Sequence, residues 1–335
     1  MKAIRNLALP AALMMLGGSA FASAPYCLLN YCGYGSSTAN PGVNNALIQG
    51  TSIQTMVTIS NAVTSRMTFT GGPRPTASLQ RTSMAAGSAG QGYNVWGNFG
   101  ASSQEDTRSG QQSKVDTDNT VIGFDYAMTP NLVLGVTGSY DDADGNIRGA
   151  GAKLDNKGYS VAPYLGWQIT QNLALDASAG WGEGKFKIGS GSADSDRTFA
   201  GVNLSYTQWM GNWQIVGKGG YLYAEEKYKN SKNAGVTVPG SGFTNKLDQI
   251  RVGVQGAYWM GNGVQPYVGV TYVSDQDQSP KPAAGKKFEK DGWVGVIGVN
   301  FFNASNTIYG GLSYSNESRD DMKNDTWTAS INFRF

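Results

Sequence analysis

The 335-residue sequence has no histidine and only two cysteines. A Ser-His-Asp triad, an Asp–His pair and a histidine-bound metal all need an imidazole that titrates near neutrality. Without one, only carboxylate chemistry survives, so the chain reads as a non-enzyme with no cofactor and no metal. Charge is scarce too: 15% of residues, for a net +2. That is far from the basic excess that marks a nucleic-acid partner, and no nucleic acid is expected. After residue 24 no apolar run approaches the roughly 20 residues a spanning helix needs.

What is abundant points to β structure. There are 46 glycines, 17 tyrosines and 8 tryptophans. A barrel wall has such a composition when apolar and polar residues alternate along each strand.

The first residues read as an export address. Lys2 and Arg5 supply the charged start, Leu7 to Leu16 the apolar middle, and Gly17 to Ala24 the small-residue end. Cleavage fits after Ala22 or after Ala24. Ala22 is preferred, because Pro25 would hinder the protease in the other frame, so residues 1–22 form the expected signal peptide. No Leu-small-small pattern precedes Cys27, so lipid attachment is not expected.

Cys27 and Cys32 lie in the segment 23–42. In an oxidising compartment their simplest product is a small disulfide loop, with intermolecular pairing or metal binding as alternatives. Two thiolates without histidine make a poor zinc site.

Val43 to Phe69 is the one convincing helical segment, with apolar residues at Leu47, Ile48, Ile53, Met56, Val57, Val63 and Met67. The rest of its surface is mildly polar and nearly uncharged, which makes it a marginal helix alone in water. Some 25 helical residues extend about 37 Å. A helix this mild suits a hydrated protein tunnel; a periplasmic helix beside a barrel mouth is the alternative. Thr70 to Gln91 is rich in Gly, Pro, Ser and Thr and reads as a linker.

From Gly92 to Phe335 twelve amphipathic strands are expected, centred near Val95, Ile122, Val136, Pro163, Ala177, Val202, Gly217, Val254, Val268, Ile297, Gly310 and Ile331. The last sets Trp327, Ala329, Ile331, Phe333 and Phe335 against Thr328, Ser330, Asn332 and Arg334. Trp293 to Phe302 alternates too poorly to assign its faces.

Connections alternate short and long. Thr170-Gln171-Asn172, Met210-Gly211-Asn212 and Met260-Gly261-Asn262-Gly263 carry tight-turn chemistry. Asp141 to Gly158, Glu225 to Lys246 and Asp275 to Asp291 read as long charged loops. Such sorting marks outer-membrane barrels rather than sandwiches. Trp167, Trp209, Trp213, Tyr258, Trp259, Phe301, Phe302, Phe333 and Phe335 cluster near the short turns as half of an aromatic girdle. The even strand count puts both barrel ends in the periplasm. The fold class is therefore all-β, a 12-stranded antiparallel transmembrane barrel over 92–335. It sits in the outer membrane of a Gram-negative cell, among outer-membrane lipid and lipopolysaccharide, as a monomer.

Lumen-facing charges are assigned to Asp125, Asp176, Lys218, Arg251 and Arg334, a mixed-sign set that braces wall and plug. Twelve strands leave one helix little spare room. Conductance should be low with the helix in place and much higher once Val43 to Phe69 is deleted.

The order of these pieces resembles the translocator domain of classical autotransporters. The carriers are Asn61-Ala62-Val63-Thr64-Ser65-Arg66 ending the helix, Asn94-Val95-Trp96-Gly97 in the first strand, Val121-Ile122-Gly123-Phe124-Asp125-Tyr126 in the second, and Leu134-Gly135-Val136 after the turn. The resemblance implies a type V secretion scaffold of porin-like shape, helix-plugged, with a terminal Phe335 read by the barrel assembly machinery. Only about twenty residues separate signal and helix, so a passenger is nearly absent or shrunk to the Cys27–Cys32 loop. Asn44-Asn45 resembles the junction cut inside some family members' barrels, where Asp125 or Asp176 would promote Asn cyclisation; a helix cap is the plainer reading. The alternative function is a surface barrel whose external loops mediate adhesion or partner binding.

Overall fold

A computed structural model describes residues 55–65, 92–106, 113–147, 152–188, 191–233, 235–279, 290–320 and 322–335. The segment 1–54, with Cys27, Cys32, Asn44 and Asn45, lies outside the described residues, as does the whole expected linker from Thr70 to Gln91.

The strands are β1 (Tyr93–Asp106), β2 (Ser113–Thr129), β3 (Leu132–Ile147), β4 (Ala152–Gln168), β5 (Leu173–Ile188), β6 (Gly191–Met210), β7 (Trp213–Tyr228), β8 (Lys232–Asn233), β9 (Val236–Thr237), β10 (Phe243–Tyr258), β11 (Val264–Ser279), β12 (Asp291–Phe302), β13 (Ile308–Arg319) and β14 (Met322–Arg334). Twelve of them form one antiparallel ring, each beside its sequence neighbour, and β1 closes on β14 from Asn94↔Arg334 to Asp106↔Met322. Closure removes every free edge, which lipid requires of a β structure. The two-residue strands β8 and β9 form a side hairpin on the tip of β6. Every expected strand centre falls within one of the twelve ring strands.

The faces follow from what each side meets. Ile122, Phe124, Leu134, Val136, Val268, Ile297, Trp327 and Ile331 point outward and are exposed, while Asn119, Asp125, Thr137, Asn324 and Thr326 point inward and are buried. Such a greasy exterior over a polar interior fits a lipid-facing wall. β12 takes the same phase: Trp293, Ile297 and Phe301 face out and Val294 and Val296 face in. Its weak alternation has a simple cause, since it is apolar on both faces. β4 keeps its place despite Pro163. The β4–β5 ladder skips Ala162 and Pro163, so the missing N–H interrupts it only locally.

One ring end carries only tight turns. Gly211 (φ 60°), Gly261 (φ 80°), Gly263 (φ 82°) and Asn306 (φ 54°) adopt the left-handed conformation there. The opposite end departs from expectation. Most of Asp141 to Gly158 is a continuing β3–β4 ladder, paired out to Ile147↔Ala152. The β7–β10 ladder likewise reaches Tyr228↔Phe243. Outward residues on these extensions are charged, which suppressed their strand signal, but the period of two persists. The wall is therefore uneven. β6 has 20 residues, whereas β12 and β13 have 12 each, close to the 9–11 that a tilted spanning strand needs.

Two apolar clusters fill the interior. The larger joins Met56, Val57, Ile59, Ala62 and Val63 to inward wall residues including Trp96, Val121, Tyr164, Phe199 and Leu222. The smaller, at the loop end, packs Val115, Ala143, Leu154, Phe186, Ala193 and Tyr228, with Ile188 and Phe243 against them.

Candidate functional site

The site is the barrel lumen with the helix it holds. Residues 55–65 form this helix, α1, all uncharged, and nine of these eleven are buried; Asn61 and Ser65 are the half-buried pair. β-branched residues give it weak intrinsic propensity, so its stability comes from packing. No helix among the described residues is long and apolar enough to cross a membrane by itself.

Three polar contacts fix α1 to the wall. Thr64 Oγ1 donates to Asp176 Oδ1 (2.9 Å) on β5. Asn203 Nδ2 on β6 donates to the same oxygen (2.8 Å) and reaches Ser60 Oγ (3.4 Å). Arg251 Nη1 on β10 donates to Asn61 Oδ1 (2.7 Å). Gly201 makes the close approach possible, since a Cβ there would stand 2.9 Å from Ser60 Oγ. The helix is thus held by β5, β6 and β10.

Nearer the turn end, a second network ties three strands together. Asn94 Nδ2 donates to Asp125 Oδ1 (2.5 Å), Tyr164 OH donates to Asp125 Oδ2 (2.7 Å), and Trp96 Nε1 donates to Tyr164 OH (2.7 Å). Both rings lie on glycine. A Cβ at Gly123 would sit 2.1 Å from Trp96, and one at Gly135 2.3 Å from Tyr164.

At the loop end are two buried ion clusters. Arg197 forks onto Asp141 (Nη1–Oδ1 2.6 Å, Nη2–Oδ2 3.1 Å) and donates through Nε to Glu226 (3.1 Å). Ser195 and Tyr228 each donate to Glu226 at 2.6 Å. Arg319 bonds Asp275 (2.7 Å) and Glu317 (2.8 Å), with Gln249 Nε2 donating to Asp275 (2.7 Å) and Arg251 Nε to Gln249 Oε1 (2.5 Å).

Of the lumen charges read from sequence, Asp125, Asp176, Lys218 and Arg251 are buried and inward. Arg334 is half-buried at the turn-end rim, over the Tyr309 ring at 5.5 Å and 3.4 Å from Asn94 Oδ1. The structure brings Asp176 and Arg251 onto the helix, and Asp125 into the Trp96–Tyr164 network. Phe335 has its ring 77% exposed, and its N–H closes the seam on Tyr93 O (2.9 Å). Phe302 departs from the expected outer girdle: it is buried, faces inward, stacks on Tyr309 and meets Trp259 edge-on. Asp141, Arg197, Glu226, Asp275, Glu317 and Arg319 were missed. The signal was available, because Asp141 continues the inward phase of Val133, Thr137 and Ser139, and Glu226 that of Leu222 and Ala224. Among the described residues no three acidic or cysteine side chains group in a metal-binding arrangement.

The family model for the autotransporter beta-domain matches residues 95–293. No curated protein matches the sequence significantly. The fold is similar to the translocator domain of autotransporter NalP from Neisseria meningitidis, with TM-score 0.65 and 13% identity, covering 83% of this chain and 93% of that one. It is similar to the beta domain of the Bordetella autotransporter Brka, with TM-score 0.60 and 15% identity over 72% of this chain and 99% of that one. The transport unit of autotransporter AIDA-I from Escherichia coli aligns with TM-score 0.52 and 11% identity, over 82% and 98% of the two chains. A closed ring of twelve strands around a helix, together with a family match over most of the chain, identifies it: the chain belongs to the autotransporter beta-domain family.

Proposed function

We propose that this chain is a translocator barrel of the outer membrane whose lumen is kept narrow at rest by α1. The observation that carries the reading is the anchoring of α1 by inward side chains of three strands, Asp176, Asn203 and Arg251, within an apolar cluster shared by helix and wall. With twelve strands the interior fits one helix and little else, so a helix held there leaves only a restricted path for ions. The barrel works as a monomeric scaffold without catalysis, since a chain lacking histidine has no group of ordinary pKa near 7 for acid–base work. Short turns then face the periplasm and the charged extensions face outside, as in outer-membrane barrels generally.

Single-channel recording in planar bilayers tests the reading. Deleting 55–65 should raise the open conductance several-fold over wild type, with heat-modifiable gel mobility confirming a folded barrel. The point variant Thr64→Val, which only loosens the helix, should raise the frequency of open events. Unchanged conductance and unchanged gating in folded variants would exclude a plug.

A further inference from the structure

A path of side chains leads from α1 to the loop-end rim. Arg251 Nη1 donates to Asn61 Oδ1 on the helix, and Arg251 Nε donates to Gln249 Oε1, two residues nearer the rim on β10. Gln249 Nε2 then donates to Asp275 Oδ1 on β11 (2.7 Å). Arg319 on β13 reaches the same carboxylate (Nη1–Oδ2 2.7 Å) and also Glu317 (Nε–Oε1 2.8 Å). At the outer end the Lys290 carbonyl, just before β12, accepts from the Asp275 N–H (2.8 Å) and from Arg319 Nη1 (3.4 Å).

Two local features build this path. The β10–β11 register shifts between Asp248 and Gln249, passing over Gln276, so that Asp275 stands straight across from Gln249. Bulges re-aim side chains in this way. Gly292 on β12 lets the Arg319 stem cross, since a Cβ there would lie 2.9 Å from Arg319 Cγ.

Charge decides where Arg251 points. Its guanidinium lies in the field of Asp275 and Glu317 as well as that of Arg319. Gln249, Arg251, Asp275, Glu317 and Arg319 are all buried, where ions interact more strongly than in water. Two bare carboxylates so placed would draw Arg251 toward the rim and off the helix. Arg319 bonds both of them and offsets much of that pull, which leaves Arg251 Nη1 for Asn61. Gln249 fixes the direction of the fork. It accepts from Arg251 and donates to Asp275 at once, which neither an ionised carboxylate nor an ammonium can do.

We propose that Arg319 and Gln249 are positioning residues of the plug: they keep Arg251 on Asn61, so the ion cluster at the rim sets how long α1 stays closed. The inference rests on α1 being the plug. It makes the cluster a latch that can be loosened from the outer rim without touching the helix.

Single-channel recording on the refolded full chain tests this, with heat-modifiable mobility as the check on folding. Asn61→Ala, Gln249→Met and Arg319→Met should each raise the frequency of open events about ten-fold at an unaltered open conductance, the effect of losing one charge-assisted bond. Arg319→Met in an Asn61→Ala background should add less than about two-fold, because both act through one contact. The triple variant Asp275→Asn, Glu317→Gln, Arg319→Met removes the competing carboxylates and should return to within about two-fold of wild type. Wild-type gating in any of the three folded single variants overturns the proposal, as does an Arg319→Met effect that multiplies with that of Asn61→Ala. A triple variant as open as Arg319→Met overturns the part assigned to the carboxylates. If Arg319→Met does not fold, Gln249→Met alone and on Asn61→Ala decides in the same way. Unchanged conductance on deletion of 55–65 would instead refute the plug itself.

Discussion

Arg197→Met should be among the most damaging single changes in the wall, though it lies far from α1. The guanidinium is fully buried and bonds Asp141 at 2.6 and 3.1 Å and Glu226 at 3.1 Å. It crosses two backbones on the way: a Cβ at Gly158 would lie 2.1 Å from Nη1, and one at Gly184 3.0 Å from Nη2. A methionine fills much of that volume but leaves two buried carboxylates without a cation. Removing one partner of a buried ion pair costs about 3–5 kcal/mol. The triple replacement Asp141→Asn, Arg197→Met, Glu226→Gln removes the stranded charge and should recover most of that loss, because replacing a whole buried ion set by neutral groups is often near neutral. Urea unfolding in lipid vesicles, followed by tryptophan fluorescence, gives both values. Hydrogen exchange should locate the damage in the outer ends of β3 to β7 and spare the spanning segments. A loss below about 1 kcal/mol for the single variant, or a triple variant as unstable as the single, would refute the idea that Arg197 holds the extension together by charge.

Three other outcomes follow from the geometry. Gly135→Ala puts a methyl 2.3 Å from the Tyr164 ring, so the ring must leave Asp125 and Trp96; the unfolding midpoint should drop by several degrees and Trp96 should become more accessible to acrylamide. Asn306→Val forces a β-branched residue to φ 54° and should cost about 1–3 kcal/mol in the same assay, whereas Asn306→Gly should be close to neutral. Phe335→Ala removes a ring that is 77% exposed and keeps the backbone bond to Tyr93, so purified barrel should unfold within about 0.5 kcal/mol of wild type while the folded amount in cells falls several-fold; a matching loss of stability in vitro would mean the ring is structural rather than read during assembly.

Much of the ring was legible in the sequence because lipid imposes a severe rule on one face. An outward position must be apolar, so Leu132 to Tyr140 and Trp327 to Phe335 display the period of two without help from the interior. The rule weakens wherever the surroundings change. At Trp293 to Phe302 the inward face also turns apolar, since Val294 joins the core around α1 and Val296 is buried too, and alternation in hydrophobicity disappears while alternation in direction persists. Beyond Tyr140 the outward face leaves the lipid and becomes charged, so Asp141 to Gly158 loses its contrast and reads as a loop. That single effect hid Asp141, Glu226 and Asp275, and with them the two ion clusters. The helix position was legible from Met56 to Val63, but its partners were not, because Asp176, Asn203 and Arg251 meet only after the ring closes.

The polar lining of the lumen bears on how a plug can be firm yet releasable. α1 takes its hydrogen bonds from β5, β6 and β10. On the far side, Asn98 and Gln104 on β1, Asn119 on β2 and Asn324 and Thr326 on β14 bury oxygen or nitrogen atoms that no protein group hydrogen-bonds. Buried amides without protein partners are satisfied by water in a lumen of this kind. The hydrogen bonds described for the helix thus come from β5, β6 and β10, while β1, β2 and β14 turn these polar groups toward the lumen. Three neutral or charge-assisted bonds, each worth about 1–3 kcal/mol net, hold the described part of the helix in place. Asn119→Asp together with Asn324→Asp would place two carboxylates on the β2 and β14 side of the lumen, across the ladders from Asp141 and Glu317, and should raise cation over anion conductance. Unaltered ion selectivity in the folded double variant would show that this side of the lumen lies outside the conducting path.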